Sequence, residues 1–303
     1  MVGDALGRSF EMMSTGDARL APALRAQLLE ATPLRYSDDT EMMLAVATSM
    51  VRSRGVSASD LLASLASSYD PARGYGHGMK LALEAFRSGR RRAGTASWPE
   101  GSKGSGGAVR VVPIACAYHD DLDLVAALAE DAAGTTHAHP VGRAGAVVHA
   151  VALASAIGHG DGWSRETFAP RLLATIRAQP ALRRADELVT GLTSILSLVA
   201  RSASAAEAAT ILGNGVLAQE AVPLALFCFL RWAPDFEAVV TNAVLAGGDT
   251  DTIAAMSGAL CGALVGEEAI PSGWLRRLDH EHTGPSHARA LADATAALWA
   301  GRA

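Results

Sequence analysis

The sequence predicts an all-α protein. Three observations carry that prediction. Apolar residues recur at three- and four-residue spacing along most of the chain. No segment shows convincing period-two alternation, as a half-buried strand would. Half of the residues are hydrophobic but only 5% are aromatic, so the apolar content is chiefly Ala, Leu and Val, a composition suited to closely packed helices. With 303 residues the chain can bury a large core, and no linker-like stretch divides it.

In order, helical spacing covers "PALRAQLLEA" (22–31), "TEMMLAVATSMVRS" (40–53), "ASDLLASLASSY" (58–69) and "MKLALEAFRS" (79–88). It resumes over 122–132, 141–157, 164–179, 183–202, 204–213, 218–232, 235–247 and 250–266, with a last helix over 286–301. Several of these are apolar nearly all round, the mark of buried central helices. The nearest approach to a strand is "AVRVVPIACAY" (108–118), which Pro113 interrupts. One long irregular stretch, "RSGRRRAGTASWPEGSKGSGG" (87–107), reads as a loop. Its basic run is either a solvated edge or an attraction for a phosphate-bearing ligand.

The net charge of −5 argues against a polyanion binder, so nucleic acid is not an expected partner. Cys116, Cys228 and Cys261 are odd in number and far apart, with no CxxC pair. That pattern speaks against a disulfide framework or a cysteine zinc site. The start "MVGDALGRSF" lacks a basic segment leading into an apolar one. No unbroken apolar run reaches the roughly 18–20 residues of a membrane span. A cytoplasmic monomer that does not engage a membrane is the expectation.

Two acidic clusters stand out at the starts of apolar helices: Ser37, Asp38, Asp39, Thr40 and Asp249, Thr250, Asp251, Thr252. Capping is the simplest account, with Asp38 and Glu41 spaced for a capping box and Asp249 or Thr250 capping the second helix. One cap needs one short polar side chain, however, and here there is a surplus. Crowded carboxylates repel unless a cation neutralises them. Oxygen ligands without paired His or Cys point to magnesium, manganese or calcium, and four aspartates suit two ions better than one. On a helix Asp249 and Asp251 would splay; in an extended or turning segment they can face one site, with Gly247 and Gly248 supplying the freedom. The His-x-His of "TTHAHP" (135–140) has no accompanying cysteine or carboxylate motif, so zinc is not expected there.

The chain resembles the ADP-ribosylglycohydrolase family, which includes dinitrogenase-reductase activating glycohydrolase and the ADP-ribosyl-acceptor hydrolases. The resemblance runs in order through "GDALGRSFE" (3–11), "YSDDT" (36–40), "RGYGHG" (73–78), "GSGGAVRVVPIA" (104–115), "TTHAHP" (135–140), "GNGVLAQEAVPLALFCF" (213–229) and "GGDTDTIAAMSGALCGALVG" (247–266). It implies one domain over 1–303, a compact orthogonal helical bundle with a central metal-binding cleft and two Mg²⁺ ions, for which Mn²⁺ can substitute. It implies metal ligation by Ser37, Asp38, Asp39, Asp249, Asp251 and Thr252, with Ser37 standing where the family often has Thr. It also places His137 in the ligand cleft.

The implied activity is hydrolysis of the bond at C1″ of ADP-ribose attached to a protein side chain, arginine first and serine second, or to a small acceptor. Glu11 is the expected catalytic base, with Asp38 second. Gly104, Ser105, Gly106 and Gly107 are the expected diphosphate contacts, since glycine backbone can approach a phosphate closely and donate N–H groups to it. Two alternatives differ in class: a non-catalytic ADP-ribose-binding or crystallin-like structural protein, and a two-metal phosphohydrolase acting on a diphosphate.

Overall fold

The computed structural model describes residues 1–90, 101–160, 162–278 and 283–300. The described residues are helical, joined by short turns, and hold no sheet beyond isolated bridges between Leu34 and Leu278 and between Gly104 and Leu217. Most expected helices appear within a few residues of their sequence bounds, among them Asp38–Ser53, Ala58–Ser68, Leu122–Gly134 and Thr250–Val265. Residues 91–100, which hold much of the expected loop and its basic run, lie outside the described residues.

Three features that periodicity did not resolve have local causes. The strand-like run at 108–118 is helical: Gly106–Val109 leads into Val112–Tyr118, with Pro113 in the first turn. Proline is welcome there because the first amide protons of a helix have no intrahelical acceptor anyway. The expected 183–202 helix divides into a 3₁₀ turn at Pro180–Arg184 and an α-helix at Asp186–Ala200. A short helix at Val2–Gly7 was legible only through the family resemblance, being too brief to show periodicity.

Pro140–Ile157 and Ala218–Trp232 are buried nearly all round and form the centre of the core. By length and mean hydropathy alone Pro140–Ile157 would suffice to cross a membrane, although Arg143 and His149 interrupt its apolar run. With 78% of its residues buried inside the protein, it has the setting of a core helix instead.

Small residues let two elements approach to backbone contact. A Cβ on Gly3 would lie 2.1 Å from the carbonyl oxygen of Ala254, and one on Gly7 would lie 2.4 Å from that of Thr250. Gly3 and Gly7 are four apart and share a face of the Val2–Gly7 helix. That face lies directly on the start of the Thr250–Val265 helix, with the Thr250 hydroxyl donating to Gly7 O at 2.8 Å. The amino-terminal segment is thereby fixed against residues nearly 250 positions away.

Candidate active site

The Asp38–Ser53 helix is capped in a way that leaves its acidic residues unused. Ser37 is the N-cap, accepting from the Asp39 N–H at 3.2 Å. The remaining donors go to Asp4, a fully buried residue of the Val2–Gly7 helix. Asp4 accepts from Ser37 N–H at 2.8 Å, from Thr40 N–H at 3.0 Å and from the Thr40 hydroxyl at 2.5 Å. The Asp38–Glu41 capping box does not form. Glu41 turns away to accept from Tyr75 OH at 2.6 Å and Asp70 N–H at 2.9 Å.

The second acidic start is held by a glycine turn. Gly247 and Gly248 both have positive φ, 72° and 77°, values glycine adopts without steric cost. A side chain at Gly248 would meet Asn214 O at 2.1 Å. Gly248 N–H donates to Met13 O and Met12 N–H donates to Gly248 O, so the turn pins the chain just after Glu11. Asp249 occupies the N-cap position without making a cap hydrogen bond. Its Oδ2 instead lies 3.4 Å from the donating Ser105 hydroxyl. Neither acidic cluster is consumed by ending its helix.

These elements converge. Carboxylate oxygens of Glu11, Asp249 and Asp251 lie within 4.8 Å of one another. One cleft of about 310 Å³ is lined by Glu11, Asp38, Asp39, Asp249, Asp251 and Thr252, and also by Gly104, Ser105, Gly106 and His137. Ser37 and Gly107 sit behind its surface, Ser37 supporting Asp39 and Gly107 packing against Ala133 and His137. Glu11 is exposed at the mouth, just past the Arg8–Phe10 turn, while Asp39, Asp249 and Asp251 are buried.

Burial, reinforced by neighbouring carboxylates, drives these acids above the ordinary range. Asp38 is pushed up to about 7, Asp251 to about 9 and Asp249 to about 6. Asp39 is raised well above its usual value, by burial first and then by repulsion from Asp38 and Asp251. Asp39 Oδ2 is buried without a hydrogen-bond partner. No Lys or Arg forms an ion pair with the four aspartates among the described residues. A buried, unpaired, anionic oxygen set fits a hard divalent cation, which supplies the missing countercharge.

The other side of the cleft is built from backbone, an imidazole and Lys103, whose ammonium pairs with Glu187 at 3.0 Å. Residues 103–105 run alongside 216–218, with Ser105 N–H donating to Val216 O and Ala218 N–H to Lys103 O, both at 2.9 Å. The His137 ring packs over the glycines: a Cβ on Gly104, Gly106 or Gly107 would come 3.3 Å from a ring atom. His137 Nδ1 is 2.8 Å from Thr136 Oγ1. His139 instead caps the Pro140–Ile157 helix, its Nδ1 accepting from Val141 N–H at 3.1 Å, so the two histidines of the His-x-His serve different ends.

The ADP-ribosylglycohydrolase family model matches residues 1–303. The chain belongs to the ADP-ribosylglycohydrolase family. It is 34% identical to ADP-ribosylhydrolase ARH3 of Bos taurus, over 90% of this chain and 85% of that protein. It is 33% identical to ADP-ribosylhydrolase ARH3 of Homo sapiens over the same shares. An uncharacterized protein of Archaeoglobus fulgidus is 30% identical over 91% of this chain and 88% of its own length. Among solved structures, an ADP-ribosylglycohydrolase-related protein complex superimposes with a TM-score of 0.68 at 27% identity, covering 98% of this chain and 94% of that one. As a member of the ADP-ribosylglycohydrolase family, the chain is a glycosidic-bond hydrolase with the family's all-α fold.

Sequence reasoning missed Asp4 and Arg110. Both lie inside motifs that were noticed, "GDALG" and "GGAVR", but a single buried polar residue in an apolar context has no period or spacing to announce it. Thr136 and Met42, which also line the cleft, were missed for the same reason.

Proposed function

We propose that this ADP-ribosylglycohydrolase is a Mg²⁺-dependent enzyme that cleaves the glycosidic bond at C1″ of ADP-ribose attached to a protein side chain or a small acceptor. The observation that carries the metal requirement is the buried Asp39 carboxylate with an orphaned oxygen, set among Asp38, Asp249 and Asp251. Asp38, Asp39, Asp249, Asp251 and Thr252, supported by Ser37, would hold two Mg²⁺ ions, with Mn²⁺ able to replace them. Such ions would neutralise the cluster, orient the ribose 2″ and 3″ hydroxyls and acidify a water.

The chain's own groups complete the scheme. Breaking the C1″ bond develops oxocarbenium-like charge on the ribose and negative charge on the departing acceptor. The exposed carboxylate of Glu11, within 4.8 Å of Asp249 and Asp251 oxygens, is placed to take a proton from the attacking water. Asp38, lining the same cleft, is the second choice. The backbone around Gly104, Ser105 and Gly106 would receive the diphosphate, with His137 beside it. Burial of the carboxylate side limits bulk water around the developing charge and strengthens its electrostatic interactions.

Arginine, serine and small acceptors all present the same ribose to these groups. Arginine is the first acceptor to assay and serine the second. The protein is proposed to act as a single 1–303 unit, as a monomer in the cytoplasm and without a nucleic-acid or membrane partner. A turnover panel of ADP-ribosyl-arginine, ADP-ribosyl-serine and O-acetyl-ADP-ribose, each with Mg²⁺ and with EDTA, tests the proposal. Release of ADP-ribose from at least one substrate, lost in EDTA and regained with Mg²⁺, is the expected result. Undiminished turnover in EDTA would remove the metal from the reaction.

A further inference from the structure

Arg110 is fully buried and forms no ion pair among the described residues. Burial lowers its pKa to about 10, which leaves it cationic at neutral pH. A buried cation without a carboxylate is expensive to fold around, and two of its nitrogens, Nε and Nη1, are buried without a hydrogen-bond partner. Its contacts lead to the cleft. Arg110 Nη2 donates to Ala132 O at 2.9 Å and to Thr136 Oγ1 at 2.8 Å, with Thr135 Oγ1 at 3.2 Å. Thr136 Oγ1 in turn lies 2.8 Å from His137 Nδ1.

Proton counting fixes the direction of that last bond. A threonine hydroxyl has one proton to give. Arg110 can only donate, so Thr136 Oγ1 accepts from it and has its own proton available for Nδ1. The reverse arrangement, with Nδ1–H donating into the hydroxyl's second lone pair, would leave the buried Thr136 proton with no acceptor among the described residues and turn a protonated ring nitrogen toward the buried guanidinium. With Nδ1 accepting, the ring proton of neutral His137 resides on Nε2. That atom faces the Gly104 and Gly106 stretch, where a Cβ would approach it to 3.3 Å. His137 and both of these glycines line the cleft. Burial first, and the charge of Arg110 second, lower the His137 pKa to about 3, which agrees with a neutral ring.

We infer that Arg110 and Thr136 are positioning residues that hold His137 as its Nε2–H tautomer, a fixed hydrogen-bond donor for a diphosphate oxygen of the bound ligand. The identity of the ligand rests on the function proposed above; the tautomer does not. A neutral donor held in place offers a hydrogen bond to an anion without waiting for a protonation step, and needs no reorganisation on binding.

The test is ¹⁵N-histidine NMR of the full chain without metal or ligand, for the wild type, Thr136→Val and Thr136→Ser, followed by ADP-ribose titrations of each. In the wild type, His137 Nδ1 should resonate as an unprotonated acceptor and Nε2 as protonated. Thr136→Val should give a mixed or reversed tautomer and weaken ADP-ribose about tenfold. Thr136→Ser, which keeps the hydroxyl, should restore both. Arg110→Met should repeat the valine result; if it does not fold, the Thr136 pair still decides. A wild-type His137 protonated on Nδ1, or a valine variant with unchanged tautomer and affinity, overturns the inference. Failure of ADP-ribose to bind the wild type would sink the ligand reading, while the tautomer measurement would still decide the role of Arg110 and Thr136.

Discussion

The carboxylate side of the cleft and its glycine–histidine side are made in different ways. The first gathers Asp38, Asp39, Asp249 and Asp251 at two helix starts, where burial and mutual repulsion make their negative charge hard to sustain. The second presents backbone and an imidazole, with the buried Arg110 behind it. One side lacks positive charge and the other carries it in reserve. The difference teaches how a single small cleft can hold both cations and an anionic diphosphate: the ligands for each are segregated by the helices that carry them.

The largest expected effect comes from breaking the carboxylate side. Asp251→Ala should lower Mg²⁺-dependent turnover by about a thousandfold, the rate equivalent of several kcal/mol of transition-state stabilisation. Retained activity at the wild-type level would show that the two sides are not specialised as described. Steady-state ADP-ribose release measures it, and the same variant should lose most of its stabilisation by Mg²⁺ in thermal melts.

Next in size is the backbone contact that assembles this side. Gly7→Ala places a methyl group 2.4 Å from Thr250 O, so the Val2–Gly7 helix must shift. A loss of about 1–3 kcal/mol in urea unfolding is expected, along with weaker Mg²⁺ stabilisation, because Asp4 and Glu11 travel with that helix. Asp4→Asn removes charge while keeping the shape, yet turns an NH₂ group toward the Ser37 and Thr40 donors. It should cost about 1–3 kcal/mol by the same measurement. An Asp4→Asn protein as stable as wild type would mean that the Ser37 cap alone suffices.

The electrostatic contrast also has a pH signature. In metal-free protein Asp38 and Asp251 titrate at about 7 and about 9, above the ordinary 3.8. The folded state then binds more protons than the unfolded chain, so stability falls as pH rises through that window. Buried His137 and His149, lowered to about 3 and about 4, have the opposite effect, but only below the ordinary histidine value of 6.5. Melts in EDTA should therefore drop by about 3 °C or more between pH 6.5 and 9, and Mg²⁺ should abolish the decline. A flat EDTA profile would contradict the charge crowding.

The smallest expected effect sharpens the other side. Gly106→Ala brings a methyl group to 3.3 Å from the His137 ring. A slight displacement of the ring should weaken ADP-ribose about threefold, a fraction of one hydrogen bond's worth. Stabilisation by Mg²⁺ alone should be unchanged, and a loss of it would show that the two sides are coupled more tightly than their separate elements suggest.

Most of the helices were legible because each has its own period, and periodicity is a local property. The acidic clusters were legible because four short polar residues exceed what one helix start can use. The 108–118 run has no assignment from periodicity because a central buried helix and a buried strand are both continuously apolar. The division of 183–202 was hidden because a 3₁₀ turn and an α-helix share nearly the same spacing over a few residues. Asp4 and Arg110 were hidden because their significance lies in distant partners, 33 or 36 residues away for Asp4 and 22 to 26 for Arg110.

The sequence by itself determined that the chain is helical, that it carries two overloaded acidic helix starts, and that its ordered motifs resemble those of ADP-ribosylglycohydrolases. Tertiary structure decided which oxygens remain free for a cation. Gly3 and Gly7 dock the first helix on the last acidic one, Asp4 takes over the capping of its neighbour, and Asp39 is left with an unpartnered buried oxygen. The physical reason is that a hydrogen-bonding group is spent or spare only in relation to everything that folds against it, and those neighbours come from the far ends of the chain.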